Sequence, residues 1–250
     1  MSTLFHFVGR VVPDHIPLTV AYSPKFERTP SQQGEPKCMI EVSIYDGEFR
    51  VSLEVAEYSD RVAMSLFQAA WDAAQNLANT VGFIHAVPYQ IIVDYLEQPD
   101  GTIKALALGD EYLRNLSTFT PEDIENISDL LIADHALGQA MSDLLSMLSK
   151  THYAPISYGR VAESIARLVA PSEKPKSMWS TTRNELKVSE GFLRQLTDVS
   201  TDPRHGTRTP VSAASNRRLS EMSWRLMDRY LHYRLKNGDL DGDKFPMLTE

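Results

Sequence analysis

The sequence predicts an α+β protein: a small antiparallel sheet with one packed helix, followed by an all-α helical bundle. Two observations support this fold class. Segments in which apolar and polar residues alternate, as in half-buried strands, lie before about residue 110. After residue 120 the apolar residues instead recur at intervals of three and four, the spacing of one helix face. We therefore expect two domains, an α+β domain of residues 1–118 with hairpins and one helix, and a helical bundle of residues 119–250.

The first hairpin gives the clearest local signal in the chain. Alternating arms at residues 40–44 and 49–55 flank Asp46-Gly47, two residue types that accept the positive φ of a two-residue hairpin turn. Residues 4–12 alternate in the same way and predict a preceding strand. Residues 23–36 are rich in Pro, Ser and Gln and have no apolar periodicity, which predicts a long surface loop.

One helix and a second hairpin complete the predicted N-terminal domain. An apolar stripe at helical spacing predicts a helix over residues 61–81 that ends at Gly82. A β-prone run at residues 89–95 and a return strand at 102–108 flank the turn Pro99-Asp100-Gly101. This order of elements favours an antiparallel sheet with a helix against one face.

Helix boundaries are well marked in the C-terminal domain. Thr120-Pro121-Glu122-Asp123 combines an N-cap, a proline in the first turn and two acids at the positive end of the helix dipole. The helix that begins there is expected to reach about Lys150, with a break near Asp134-His135. Later helices are predicted at residues 157–170, as a pair within 179–196, and from Pro210 to the capping pair Asn237-Gly238. A polar loop is predicted between the last two of these helices.

Composition excludes several classes of protein. Cys38 is the only cysteine, so the chain forms no internal disulfide and no thiolate zinc cluster. The histidines lack metal-ligand spacing, and no nucleotide-binding glycine motif occurs, so we expect neither a metal nor a cofactor. There is no signal peptide and no long apolar run, which predicts a soluble, cytoplasmic protein without membrane contact.

Charge divides the chain into two unlike parts. Residues 1–150 carry 9 Lys and Arg against 21 Asp and Glu, whereas residues 151–250 carry 16 against 12. Because electrostatic fields in salt solution fall off within about 10 Å, a basic part can attract phosphate even though the whole chain has a net charge of −8. The alternatives are attraction between the two parts of the chain, or a partner chain.

The last predicted helix carries a line of basic residues. Helical spacing stacks Arg218, Arg225, Arg229 and His232 along one side, and Lys236 continues the line. One interpretation is a solvated face whose arginine stems cover apolar neighbours. The other is a ridge that contacts the phosphates of a nucleic acid, together with Arg208 from the preceding loop.

The predicted polar loop contains the best pair of candidate catalytic residues, Arg204 and His205. Loops supported by a rigid bundle often carry function, and an arginine beside a histidine places a phosphate-binding group next to a proton carrier. Such a pair suits the binding or cleavage of a phosphodiester, with His205 as general acid or base. The alternative is a structural loop in which Arg204 bonds helix-end carbonyls and Gly206 makes a turn.

Three segments give the C-terminal domain a family resemblance: GRVAESIARL, MWSTTRNELKVSEGFLRQL and TDPRHG, followed by a long helix. Together they resemble HEPN domains, the helical higher eukaryotes and prokaryotes nucleotide-binding class. The resemblance implies a homodimer that binds RNA or nucleotides in a bacterial defence or toxin-antitoxin system. Many members are metal-independent ribonucleases with an Arg followed a few residues later by a His. In that motif four to six positions separate the Arg from the His. Counted in this way from Arg204, the matching positions hold Thr209, Pro210 and Val211, none of which is His, and the one formal match is Arg225 with His232.

Two other functions remain open from the sequence. One is a non-catalytic protein-protein interaction module or regulator whose Arg-rich edge contacts an acidic partner. The other is a helix-turn-helix DNA binder, in which residues 191–196 would present Arg194 and Gln195 to base edges. Glu190 and Asp198 flank that helix, where a DNA-reading helix normally carries cations.

Overall fold

The structure is a computed structural model that describes residues 2–28, 37–56, 60–106, 111–149, 153–206 and 211–250. The chain divides into two compact units, Met1–Leu108 and Gly109–Glu250. The first unit contains the sheet and the second is helical, so the predicted α+β class is confirmed. Within the described residues, no helix is both long and apolar enough to span a membrane.

The N-terminal unit is a six-stranded antiparallel sheet with one long helix. Its strands are β1 (Thr3–Val12), β2 (Lys25–Arg28), β3 (Cys38–Tyr45), β4 (Glu48–Val55), β5 (Gln90–Glu97) and β6 (Ile103–Ala105), in the spatial order β2-β3-β4-β1-β5-β6. The helix α1 (Asp60–His85) packs against the apolar face of the sheet, where Phe7 and Phe67 meet edge to face. The predicted turn between β3 and β4 is confirmed, since Asp46 and Gly47 both have positive φ, at 49° and 77°.

Two predictions for this unit are wrong. The span 23–36 is not wholly loop, because Lys25–Arg28 forms β2 and pairs with residues 38–41 of β3, while residues 29–36 lie outside the described part of the chain. Helix α1 does not end at Gly82 but continues to His85. A Cβ at position 82 would collide with the carbonyl oxygen of Val87, so this glycine serves the close return of the chain rather than a helix end.

The C-terminal unit is built from helices packed around one core. After a four-residue helix, α2 (Glu111–Arg114), and a 3-10 turn (Pro121–Asp123), the helices are α3 (Ile124–Ala133), α4 (His135–Ser149), α5 (Ala154–Val169), α6 (Pro175–Leu186), α7 (Glu190–Arg204) and α8 (Ala213–Leu235). Helix α5 lies inside this bundle. Its residues Tyr158, Val161 and Ile165 are almost fully buried.

Several predicted helix boundaries are confirmed. The capping box at Thr120 and Asp123 is present, and the predicted break falls at Asp134, whose carboxylate accepts the backbone N–H of Leu137 at 3.2 Å. Asn237 and Gly238 close α8 with positive φ, at 52° and 91°. Pro210 lies outside the described residues, and the described start of α8 has Ser212 as its N-cap.

The predicted polar loop around Arg204 and His205 is wrong in part. Residues up to Arg204 belong to α7, with Pro203 inside its last turn. A proline in that position loses one backbone hydrogen bond but keeps a helical φ, so it does not break the helix. His205 is the C-cap, and Gly206 follows with a φ of 82°.

Candidate functional site

Arg204 lies at the surface of the C-terminal unit and is bonded to other residues of that unit. Its Nη1 atom donates to both carboxylate oxygens of Glu163 on α5, at 2.8 and 2.9 Å. Its Nε donates to the carbonyl of Ser200 at 3.3 Å, and its Nη2 donates to the Ser200 hydroxyl. The guanidinium of Arg204, bonded to both Glu163 and Ser200, stabilises the contact between α5 and α7. The carboxylate of Glu163 occupies the place at which a phosphate would have to bind Arg204.

The contact between α5 and α7 depends on a glycine. A Cβ at Gly159 would collide with the Ser200 hydroxyl and with the guanidinium of Arg204. The absence of a side chain lets the two helices approach closely enough for Arg204 to reach Glu163. Gly159, Ser200 and Arg204 therefore act together as a packing feature.

His205 does not share the environment of Arg204. It is exposed at the end of α7, where its backbone N–H donates to the carbonyl of Asp202 at 3.0 Å. The structure thus places Arg204 against α5 and His205 in solvent. Arg208, the third candidate from this region, lies outside the described residues.

The four remaining candidates on α8 have different environments. Arg218 is exposed. Arg225 forms an ion pair one helical turn away, with its Nε and Nη2 atoms 3.0 and 2.9 Å from Glu221. Arg229 is only 6% exposed, which is far below the accessibility of a phosphate-contacting arginine. The line of basic residues is therefore not a uniform solvent-facing ridge.

Arg229 bonds three backbone carbonyls. Its Nη1 donates to Leu186 at 3.1 Å and Lys187 at 3.4 Å, at the end of α6, and to Pro246 at 3.0 Å. Its guanidinium also lies 5.3 Å from the ring centre of Phe245. Burial lowers the pKa of Arg229, and the carbonyl dipoles replace the water that the charged group has lost.

His232 lies in a second polar cluster at the same helix face. Its Nε2 atom is 2.5 Å from the hydroxyl of Thr118 and 3.9 Å from the carboxylate of Asp228. Its ring stacks on Phe119 with the centres 4.2 Å apart, and Phe245 lies across it at 5.0 Å. Burial is the main cause that lowers the pKa of His232, and the nearby cations Lys236 and Arg229 act in the same direction, while Asp228 and Asp123 oppose it.

The geometry of this cluster assigns its protons. Thr118 donates its backbone N–H to Asp228 at 3.0 Å, and its hydroxyl is 3.1 Å from the same carboxylate. A carboxylate only accepts, so the single hydroxyl proton is best placed toward Asp228. Neutral His232 then donates its Nε2–H to Thr118. Because His232 donates to the Thr118 hydroxyl, it cannot act as a general base that removes the proton of this hydroxyl. The cluster therefore holds residues 117–119 in place and does not activate Thr118.

Asp228 and Thr118 were missed from the sequence. Asp228 precedes His232 by one helical turn, and that spacing was a usable signal. Thr118 lies 114 residues before His232, and no local pattern connects the two. Within the described residues, no group of three His, Cys, Asp or Glu side chains is arranged to hold a metal.

The helix-turn-helix interpretation concerns α6, α7 and the turn between them. Lys187 makes that turn with a φ of 51°, and Ser189 caps α7 by accepting the backbone N–H of Phe192 at 3.0 Å. Arg194, the predicted base-reading arginine, lies 2.6 Å from Glu190 of its own helix. This pairing reduces the charge that the helix could offer to DNA.

Comparison with protein families matches both units. Residues 5–107 match the N-terminal domain of a family described as domain of unknown function (DUF8168), and residues 124–235 match its C-terminal domain. The chain belongs to the DUF8168 family. The C-terminal match ends at Leu235, the last residue of α8, so residues 236–250 lie beyond the matched part of the family domain. No curated protein and no solved structure matches the chain. The HEPN resemblance stays a prediction.

Loss of the Arg229 side chain should destabilise the C-terminal domain. In an Arg229→Ala variant three carbonyls lose a charged donor, and we expect a loss of about 3 kcal/mol in the free energy of unfolding. Urea unfolding of the full chain measures this change. The exposed Arg218→Ala variant, on the same helix, is the matched control and should change stability by less than about 0.5 kcal/mol. Equal effects for the two variants would contradict the assigned role of Arg229.

The folded protein should lose stability in acid because of His232. The pKa of His232 lies below the usual 6.5 in the folded state. Between pH 6.5 and that lower pKa, the unfolded chain therefore binds more protons than the folded chain. This contribution is fully present above about pH 6.5. It is lost as the pH falls through this range, and a His232→Gln variant should show a smaller decrease in stability between pH 7 and 5.

The exposed His205→Gln variant is the control for this pH dependence and should follow the wild type. Thermal unfolding of all three proteins across the same pH series provides the measurement. A His232→Gln variant whose pH dependence equals that of the wild type would show that His232 contributes nothing to it.

Proposed function

We propose that this DUF8168 member acts by binding a protein partner rather than by catalysis, through its helical C-terminal domain. One observation carries the proposal. Four of the six described candidates for phosphodiester chemistry are bonded to other groups of the same domain: Arg204, Arg225, Arg229 and His232.

A metal-independent ribonuclease needs two groups directed at one phosphate. A cation must stabilise the charge that develops, and a histidine must carry a proton to or from the reacting oxygen. Glu163 occupies the fork of Arg204, and its negative charge would repel a phosphate at that place. His232 stacks on Phe119, lies against the tilted ring of Phe245 and is bonded to Thr118. Both arrangements favour a structural role over a catalytic one.

The partner that we infer first is a second copy of the chain, in the cytoplasm. Helix α3 is strongly apolar, yet none of its residues is fully buried. Ile124 is 62% and Ile132 is 83% exposed, and Leu145 on the following helix is 48% exposed. Exposed apolar side chains of this kind are typical of an interaction surface, and two-fold pairing would bury those of α3 against the same helix of the second copy.

RNA or nucleotide binding without cleavage, as in a defence or toxin-antitoxin system, is the second candidate. The observation that favours it lies at the start of α8, where Arg217 and Arg218 are both exposed. The guanidinium of Arg217 lies 4.7 Å from the ring centre of Tyr112 on α2. An aromatic ring beside two cations is a surface on which an unpaired base can stack.

A gel assay separates binding from cleavage. Purified protein is incubated with labelled single-stranded RNA, transfer RNA and duplex DNA, beside a His205→Ala variant and an Arg217→Ala/Arg218→Ala variant. We expect no cleavage, because the candidate residues are engaged elsewhere. Single-stranded RNA retained by the wild type and lost only in the double arginine variant would favour the second candidate. Cleavage by the wild type that disappears in His205→Ala would contradict the proposal.

Sedimentation tests the self-association. The wild-type chain is expected to be a dimer at micromolar concentration, and Ile132→Asp should convert it to a monomer, since a carboxylate cannot be buried without a partner. Ile103→Asp is the matched control, because Ile103 is 65% exposed on β6 in the other unit. Thermal unfolding shows whether each variant is folded. A wild-type monomer, or a dimer that survives Ile132→Asp, would exclude this interface.

A further inference from the structure

The C-terminal segment 239–250, called the tail, pairs with the turn between α6 and α7. The backbone N–H of Leu248 donates to the carbonyl of Lys187 at 2.9 Å, and the N–H of Ser189 donates to the carbonyl of Leu248 at 2.8 Å. These two bonds form a parallel bridge between Val188 and Leu248. The tail is thus held at Leu248 by main-chain pairing, a common way in which proteins bind peptides, while its residues 241–245 form a turn in which the N–H of Phe245 donates to the carbonyl of Asp241 at 2.9 Å.

An aromatic side chain anchors the middle of the tail. Phe245 is only 9% exposed and packs among the basic residues of α8. The Nζ of Lys236 is 4.9 Å and the guanidinium of Arg229 is 5.3 Å from the centre of its ring. Arg229 also donates to the carbonyl of the next residue, Pro246. Cations over an aromatic face, in a partly buried place, provide both affinity and selectivity for an aromatic side chain.

Both ends of the tail are also held. Lys187 Nζ donates to the carbonyl of Leu240 at 2.5 Å. At the other end, the Ser189 hydroxyl donates to the carboxylate of Glu250 at 2.8 Å, at the N-terminus of α7. A Cβ at Gly191 would collide with this carboxylate, and the positive charge of Arg218 acts on it. The groove in which the tail lies, between α8 and the α6–α7 turn, therefore receives an anion as well as an aromatic ring.

Charge and family boundaries distinguish the tail from the bundle that holds it. The tail carries four acids, Asp239, Asp241, Asp243 and Glu250, against the single cation Lys244. The surface beneath it contributes cations from two places, α8 and the α6–α7 turn. The family match ends before the tail begins.

Only two side chains of the tail belong to the buried core of the domain. They are Leu240 and Phe245, while Met247 is 56% exposed and most of the others are exposed. Segments with few buried contacts and two main-chain bonds can open without unfolding of the whole domain.

We propose that the groove between α8 and the α6–α7 turn binds an acidic peptide that pairs its main chain with this turn and has an aromatic residue three positions before an aliphatic one. The tail occupies this groove as an intramolecular ligand, which such a partner displaces. This inference rests on the proposed binding role but uses a different surface from α3. Main-chain pairing with residues 187–189 sets the direction of the peptide, and Phe245 and Leu248 of the tail show which side chains the groove takes.

Hydrogen exchange on the wild-type chain tests whether the tail opens by itself. If it does, the amides of Leu248 and Ser189 exchange at least about tenfold faster than amides in the centre of α8, such as that of Leu226. Exchange of all three at one common rate would mean that the tail unfolds only with the whole domain. That result would overturn the inference, whatever any variant does.

A peptide added in trans tests the binding site. A fluorescein-labelled peptide of residues 239–250 is titrated into the wild type and into a Phe245→Ala/Leu248→Ala variant of the full chain, with anisotropy as the readout. The variant's own tail is weakened, so a larger fraction of its grooves is open. Because apparent affinity scales with that fraction, we expect about tenfold tighter binding to the variant. Binding should weaken as salt increases.

A matched peptide with Ala in place of Phe245 is the control and should bind at least about tenfold more weakly if the ring is an anchor. Equal binding of the two peptides, or no binding to a variant that remains folded, would overturn the inference. Displacement of the bound peptide by single-stranded RNA would reassign the groove to nucleic acid. Sedimentation of the same variant shows whether the α3 interface is intact, so failure of the groove and failure of the proposed dimer are separable.

Discussion

The buried guanidinium of Arg229 is the interaction on which the C-terminal domain depends most. A helix leaves its last carbonyls without intrahelical partners, and α6 ends against α8 with Leu186 and Lys187 in that position. A buried charge in turn requires polar partners. Arg229 meets both requirements at once. Its third bond, to the carbonyl of Pro246, holds the tail to the same side chain. One side chain thus connects α6, α8 and the C-terminal segment.

The use of Arg229 inside the fold changes what the basic face of α8 can do. A line of cations binds a nucleic acid backbone well when several of them reach phosphates together. Here the centre of the line is buried, Arg225 is paired with Glu221, and His232 is bonded to Thr118. Arg217 and Arg218 at the start of α8 and Lys236 after its end are exposed, and Arg225 is exposed but paired. The charge pattern therefore fits a groove for a short segment better than a continuous ridge.

Local patterns in the sequence predicted the elements better than the site. Asp46-Gly47 and Asn237-Gly238 specify backbone angles by themselves, so the structure confirms them. The predicted end of α1 at Gly82 is wrong because a glycine is needed there for the close approach of Val87, which the periodicity of the sequence does not show. The site depends on still longer separations: Arg204 meets Glu163 across 41 residues and His232 meets Thr118 across 114. A single sequence carries no signal for such pairs.

The donor and acceptor pattern of the groove distinguishes the main chain of a peptide from a phosphate backbone as its occupant. Lys187 offers a carbonyl that takes an N–H, and Ser189 offers an N–H that takes a carbonyl, both at the spacing of one peptide unit. A phosphate has acceptors only, so it could satisfy the N–H of Ser189 but offers no donor to the carbonyl of Lys187, which would keep only the longer bond from Arg229, at 3.4 Å. Arg229 likewise donates to a neutral carbonyl rather than to an anion. The main chain of a peptide meets all three requirements together, which is why charge alone is a poor guide to the partner of this surface.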